Sequence, residues 1–204
     1  MKPRASKSRA AFSEAVALFR QGKVAAAEAL SLSINESDPL YSDAQHLAGL
    51  AALQAGRHEE SVTRLQRAAA INSKDATAQG NLGLALKLAG RLQDALKVLE
   101  GALALDPNSS KNEFCRGQVL VKLKRLDEAV MAFRRTLELR PDDPAAYQFL
   151  GQTLSDLGRL EEALRAHEKA LELQPDQADH YGNIAGTLCY LKRHSEISPF
   201  VETA

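Results

Sequence analysis

The chain has no tryptophan, and aromatic residues make up only 5% of it. Cysteine is nearly absent: Cys115 and Cys189 are the only two. Two thiols exclude a disulfide framework and a four-cysteine zinc site. They suit a reducing compartment, so a cytoplasmic location is expected. Charge of one sign is also missing, with 26 Lys+Arg against 26 Asp+Glu. That excludes a generally basic nucleic-acid binder, which carries a clustered excess of cations. No unbroken run of ~18 apolar residues occurs, so no membrane helix is expected. The five histidines are His46, His58, His167, His180 and His194, and no two lie three or four apart. A helical metal site is therefore not expected. The first residues are basic through Lys2, Arg4, Lys7 and Arg9, but Glu14 and Arg20 interrupt the stretch that would have to be an apolar signal core. Residues 1–7 are expected to be a solvated basic arm, with organelle targeting or an anion contact as the alternative.

What is present is repetition. Gly56-Arg57-His58-Glu59-Glu60, Gly90-Arg91-Leu92-Gln93-Asp94, Lys124-Arg125-Leu126-Asp127-Glu128 and Gly158-Arg159-Leu160-Glu161-Glu162 start 34 residues apart. Five full repeats fit, over residues 8–41, 42–75, 76–109, 110–143 and 144–177, followed by a partial sixth over 178–191 and a short tail over 192–204. Position 8 of the repeat is small in every copy: Ala15, Gly49, Gly83, Gly117, Gly151 and Ala185. Position 20 is small as well, as Ala27, Ser61, Ala95, Ala129 and Ala163. Pro39, Pro107, Pro141 and Pro175 occupy position 32, with Ser73 the exception.

This spacing encodes two helices per repeat, each of about four turns. Positions 4, 7, 8 and 11 fall on one face of the first helix at the helical period. Glycine at position 15 ends that helix, because glycine accepts the left-handed conformation beyond a C-terminus. The basic residue at position 16 can meet the carboxyl end of the helix dipole. Small residues at 8 and 20 let the two axes approach, and proline at 32 stops the second helix. Asp143-Pro144 reads as an N-cap followed by proline at the first helical position. Nothing alternates with period two for long enough to form a strand. One helix pair cannot bury its apolar faces alone, whereas stacked pairs can. The expected fold is all-α, a solenoid of antiparallel helix pairs.

The pattern resembles the tetratricopeptide repeat. Leu82-Gly83, Gly90, Ala95, Leu99, Ala102 and Pro107 fit that family, as do Tyr147, Leu150-Gly151, Gly158, Ala163, Ala170 and Pro175. The fourth repeat fits through Gly117, Ala129, Phe133 and Pro141, but has Lys124 where glycine is usual. The first repeat departs most, with Glu14 at position 7. The resemblance implies a right-handed superhelix whose concave groove, lined by the first helices, binds an extended or helical peptide. The style is also similar to repeat arrays that precede bacterial sulfotransferase or O-linked glycosyltransferase domains.

Periodicity independently leaves positions 2, 5, 9, 12 and 13 off the core stripe. The groove candidates on these positions, with position 6 added, are Phe12, Val16, Phe19, His46, Leu50, Leu53, Asn81, Leu84, Lys87, Lys111, Phe114, Gln118, Lys122, Gln148, Gln152 and Asp156. They run from apolar, through a basic middle at Lys87, Lys111 and Lys122, to polar at Asp156. A protein or peptide ligand with an apolar and an acidic segment is expected. The bland alternatives are that the lysines are solvated surface and that the apolar end packs on the arm or on a second copy. A family carboxylate clamp is disfavoured, since Phe12, Val16, His46 and Leu50 do not match its Lys and Asn. The family's asparagine ladder survives only at Asn81 and Asn183.

No catalytic constellation, cofactor motif or metal-ligand set is legible, and the chain reads as a non-enzyme. Glu59-Glu60 and Glu161-Glu162 read as helix N-terminal charge, and both cysteines as packing residues. The last helix carries Tyr181, Ile184, Leu188 and Leu191, and its partner begins at Ser195 but meets Pro199. The first reading is an adaptor or scaffold for a protein partner. The alternatives are a substrate-docking module of a larger sulfotransferase or glycosyltransferase, and an assembly element that dimerises through the C-terminal helix. The Ala- and Arg-rich composition fits a bacterial source.

Overall fold

In a computed structural model, which describes residues 2–197, helices follow one another with connections of only a few residues. They are α1 Lys2–Arg20, α2 Val24–Leu32, α3 Tyr41–Gln54, α4 His58–Ile71, α5 Ala76–Leu88, α6 Leu92–Leu105, α7 Ser110–Lys122, α8 Leu126–Leu139, α9 Pro144–Asp156, α10 Leu160–Leu173 and α11 Ala178–Tyr190, with a final 3-10 turn at His194–Glu196. No strand occurs among the described residues. The all-α expectation holds, with two helices in each repeat.

The chain divides into two compact bodies, one up to Pro107 and one from Asn108. In the first, each helix from α1 to α6 packs on the next, and α1, α3 and α5 also touch in sequence. In the second, α7 to α11 pack in the same order, and α7, α9 and α11 touch. Short links force each pair antiparallel.

The turn inside each pair obeys the glycine rule. Gly22, Gly56, Gly90 and Gly158 have φ between 72° and 78°. At the same position Lys124 and Lys192 adopt φ 61° and 59°, which a side chain tolerates poorly. The arginine N–H after the turn donates back across the helix end: Arg91 N to the Leu86 carbonyl at 2.9 Å and Gly90 N to Lys87 at 3.2 Å, a Schellman closure. Between pairs, Asp75, Ser109 and Asp143 cap α5, α7 and α9 by accepting from backbone N–H groups. Pro144 occupies the first turn of α9, as its sequence predicts.

The glycines of position 8 meet one specific neighbour. A Cβ on Gly49, Gly83, Gly117 or Gly151 would fall 2.5–2.7 Å from the side chain of Leu65, Leu99, Phe133 or His167, respectively. These four neighbours all occupy position 24 and are essentially inaccessible. Within each body the core therefore holds large residues of the second helices, each pressed on a bare patch of the first helix of its own pair. Fully burying such an aliphatic or aromatic side chain contributes roughly 1.5–3 kcal/mol.

Three expectations shift. α1 begins at Lys2, so the residues read as an arm are helical; Lys, Arg and Ala favour helix, and Pro3 is tolerated in a first turn. α2 has 9 residues rather than about four turns. Its end is fixed by side chains that compete with the helix: Ser33 Oγ donates to the Leu30 carbonyl at 2.7 Å, and Asp38 accepts from Leu40 N at 2.9 Å. Cys189, read as a packing residue, is exposed on α11, whereas Cys115 is buried. Ile184 and Leu188 of α11 do pack on Leu164 of α10. Pro199 lies outside the described residues.

Candidate functional site

The position-16 arginines do more than face a helix end. Arg91, Arg125, Arg159 and Arg193 each bond a carboxylate three residues on, namely Asp94, Glu128, Glu162 and Glu196. The bond holds the Glu128, Glu162 and Glu196 carboxyls below the usual range. It raises Arg159 and Arg193 in return. Two further ion pairs link neighbouring helix pairs: Arg57 to Glu28 in the first body, and Arg134 to Glu162 at 2.7 Å in the second. Hydrogen bonding to Glu28 and then to Glu60 raises Arg57. Glu60 and Glu162, the second members of the acidic pairs in the sequence, are thus turn clasps.

In the first body, adjacent helices α1, α3 and α5 present the expected apolar residues. Phe12, Val16 and Phe19 of α1, Leu50 and Leu53 of α3, and Leu84 of α5 are all half-buried. Their exposed portions keep apolar surface in water. His46 and Lys87 are half-buried as well. Asn81 differs: it is 6% exposed, and its amide donates to His46 Nε2 at 2.8 Å. A polar residue at this buried place needs such a partner. Asn81 and His46 are therefore a pair joining α5 to α3.

In the second body, Lys111 and Lys122 are exposed on α7 at either end of the helix, about 16 Å apart at the helical rise. Gln118 and Gln148 are half-buried, while Gln152 and Asp156 are exposed. Gln152 Nε2 donates to Asp156 Oδ1 at 3.0 Å. Phe114 is half-buried in a ring cluster, with centroids 5.8 Å from Phe133 and 5.3 Å from Phe149. Such spacing is cohesive packing. The three lysines of the expected basic middle divide between bodies, Lys87 in the first and Lys111 and Lys122 in the second.

One pair escaped sequence reading. His167 and His180 are both buried, at 1% and 2% exposure. Burial, aided by the proximity of His180, pushes His167 down to about 4. Their separation in sequence matches no helical spacing. The signal lies in the repeat phase, because positions 24 and 3 are buried in neighbouring repeats. Among the described residues, no three His, Cys, Asp or Glu side chains gather as a metal site, and no helix is long and apolar enough to cross a membrane.

Comparison with known proteins agrees with this architecture. Residues 46–110 match one tetratricopeptide-repeat profile, and residues 109–176 match another. A solved structure of MamA from Desulfovibrio magneticus RS-1, beginning at its residue 41, is 24% identical, with a TM-score of 0.74 over 79% of this chain and 91% of its own. A MamA structure labelled AMB-1 is 26% identical, with a TM-score of 0.71 over 81% of this chain and 91% of its own. Another MamA crystal structure, at 18% identity, has a TM-score of 0.75 over 80% and 90%. No curated protein matches the sequence. Repeats in one register, left-handed turns at position 15 and two profiles that together run from residue 46 to 176 carry one conclusion: the chain belongs to the tetratricopeptide-repeat family.

Proposed function

We propose that the protein is a non-enzymatic scaffold that binds a peptide segment on the first-helix face of its repeats. Protein interaction is the general role of a tetratricopeptide-repeat protein, and the finer assignment rests on one observation. Phe12, Val16, Phe19, Leu50, Leu53 and Leu84 leave part of their apolar surface in water on three adjacent helices. An amphipathic peptide helix or extended segment covers such a surface and gains its hydrophobic free energy. The transferase-module and self-assembly readings draw no comparable support.

The test is capture from host lysate, followed by titration of a synthetic peptide from the retained protein. Bait carrying Leu50→Gln with Leu84→Gln is run beside the parent, after circular dichroism shows equal helicity. The expected result is a protein held by the parent and lost by the variant. If both baits hold the same proteins, or neither holds any, the first-helix face is not the binding surface.

A further inference from the structure

The second helices form a different surface, and it carries a cleft. In the first body an open cleft of about 540 Å³ lies over α5, between α4 and α6. Its walls include Gln66 of α4, Gln79 and Leu86 of α5, and Asp94, Lys97 and Gly101 of α6. At 100° per residue, Gln79 lies on a different face of α5 from Leu84. The cleft is thus separate from the first-helix surface.

The second body holds the same place two periods later, and there the cleft measures about 220 Å³. The corresponding residues are Arg134, Tyr147, Leu154, Glu162, Arg165 and Lys169. Three differences, at Gln66, Gln79 and Gly101, remove material or a bond from the first cleft. Arg134 reaches across to Glu162, 2.7 Å away. Asp94 and Glu162 are each bound by the arginine of their own turn, but Gln66 carries no charge with which to add the cross-pair bond. Tyr147 places a phenol ring where Gln79 has a short amide. Lys169, bonded to Glu172, stands where Gly101 leaves open space, with no atom within 4 Å of a Cβ built on it. Lys97 has no carboxylate at ion-pair distance among the described residues.

The geometry points to an occupant. We infer that this cleft receives a tyrosine side chain next to a carboxylate, presented by a partner protein. A phenol ring is what Tyr147 adds to the wall of the equivalent cleft, and in the first body Leu86 and Val98 offer apolar wall for one. Its hydroxyl meets the amides of Gln66 and Gln79. The neighbouring carboxylate pairs with Lys97, the cation that lacks an acidic partner. An amide-lined site distinguishes tyrosine from leucine because its polar groups need hydrogen bonds when covered.

The experiment is amide NMR of the full chain titrated with N-acetyl-Glu-Tyr-amide, beside N-acetyl-Glu-Leu-amide and N-acetyl-Gln-Tyr-amide. Shifts should concentrate at Gln66, Gln79, Lys97 and Gly101, with the Glu-Tyr probe binding most tightly. Lys97→Gln alters an exposed side chain and should leave the fold intact. It should weaken the Glu-Tyr probe roughly fivefold and leave the Gln-Tyr probe unmoved, as expected of one exposed ion pair. Gln79→Tyr with Gly101→Lys copies the smaller cleft and should abolish the shifts. Absence of shifts at these residues overturns the inference. So does equal binding of the Leu probe, or a response confined to α1, α3 and the Leu84 face of α5.

Discussion

The imidazole of His167 occupies the space above Gly151 so closely that a Cβ there would stand 2.5 Å from Cε1 and 2.6 Å from Nδ1. The same relation joins Gly49 to Leu65, Gly83 to Leu99 and Gly117 to Phe133. Glycine at position 8 is therefore a packing requirement and owes nothing to turn geometry. It costs helix propensity and repays it in contact.

Replacing Gly151 or Gly117 by alanine should destabilise the protein by roughly 1–3 kcal/mol through overpacking, despite alanine's better helix propensity. Gly101→Ala should instead stabilise by roughly 0.5–1 kcal/mol, since open space surrounds that position. Urea unfolding of the three variants measures both signs. Equal effects at Gly151 and Gly101 would contradict the contact assignment.

Lys124 bears φ 61° in a turn where four other repeats place glycine. Lys124→Gly should raise stability by roughly 1 kcal/mol, because it relieves left-handed strain. The reverse change, Gly90→Lys, should lower it. Thermal unfolding followed by circular dichroism reads both, and a loss of stability in Lys124→Gly would mean that the turn is relaxed as it stands.

Protonation should loosen the end of the second body. Burial and neighbouring His180 push His167 down to about 4, whereas an unfolded histidine titrates near 6.5. Above pH ~6.5 both states are neutral and stability is flat. Between pH ~6.5 and ~4 the unfolded chain takes up the proton and the folded chain does not, so stability falls by at most ~3 kcal/mol and then levels. His167→Leu, which places the residue of repeats 2 and 3 there, should flatten this slope. Denaturant unfolding across that range is the measurement, and an unchanged slope in the variant would assign the titration elsewhere.

Two arginines in equivalent turns should differ. Arg125 bonds Glu128, and both side chains are about half exposed. Arg57 also holds Glu28, whose side chain is 11% exposed. Arg57→Ala should lower the melting temperature more than Arg125→Ala, because it strands a poorly hydrated carboxylate. Added salt should shrink the Arg125 effect and leave most of the Arg57 effect. Equal losses at both positions would show that the Glu28 contact contributes nothing.

Much of this was legible before any coordinates. Glycine at 15, proline at 32 and Asp143 before Pro144 act on φ, on a missing N–H and on orphan N–H groups, all local effects that travel with the residue. The short α2 was not legible, because Ser33 and Asp38 compete with the helix only through particular rotamers. The first-helix faces were legible, but what their side chains touch was not. Asn81 read as a ligand contact is the partner of His46, and Phe114 read as a groove residue joins Phe133 and Phe149.

The 34-residue period alone determined the fold class, the helix pairs and the turns, because each depends on conformational preferences repeated in register. Tertiary structure decided what a periodic letter touches. Gln79 and Tyr147 share position 4, yet one borders a cleft of about 540 Å³ and the other a cleft of about 220 Å³. That difference depends on Gln66, Gly101, Arg134 and Lys169 on other helices, and only close packing in three dimensions brings those choices together.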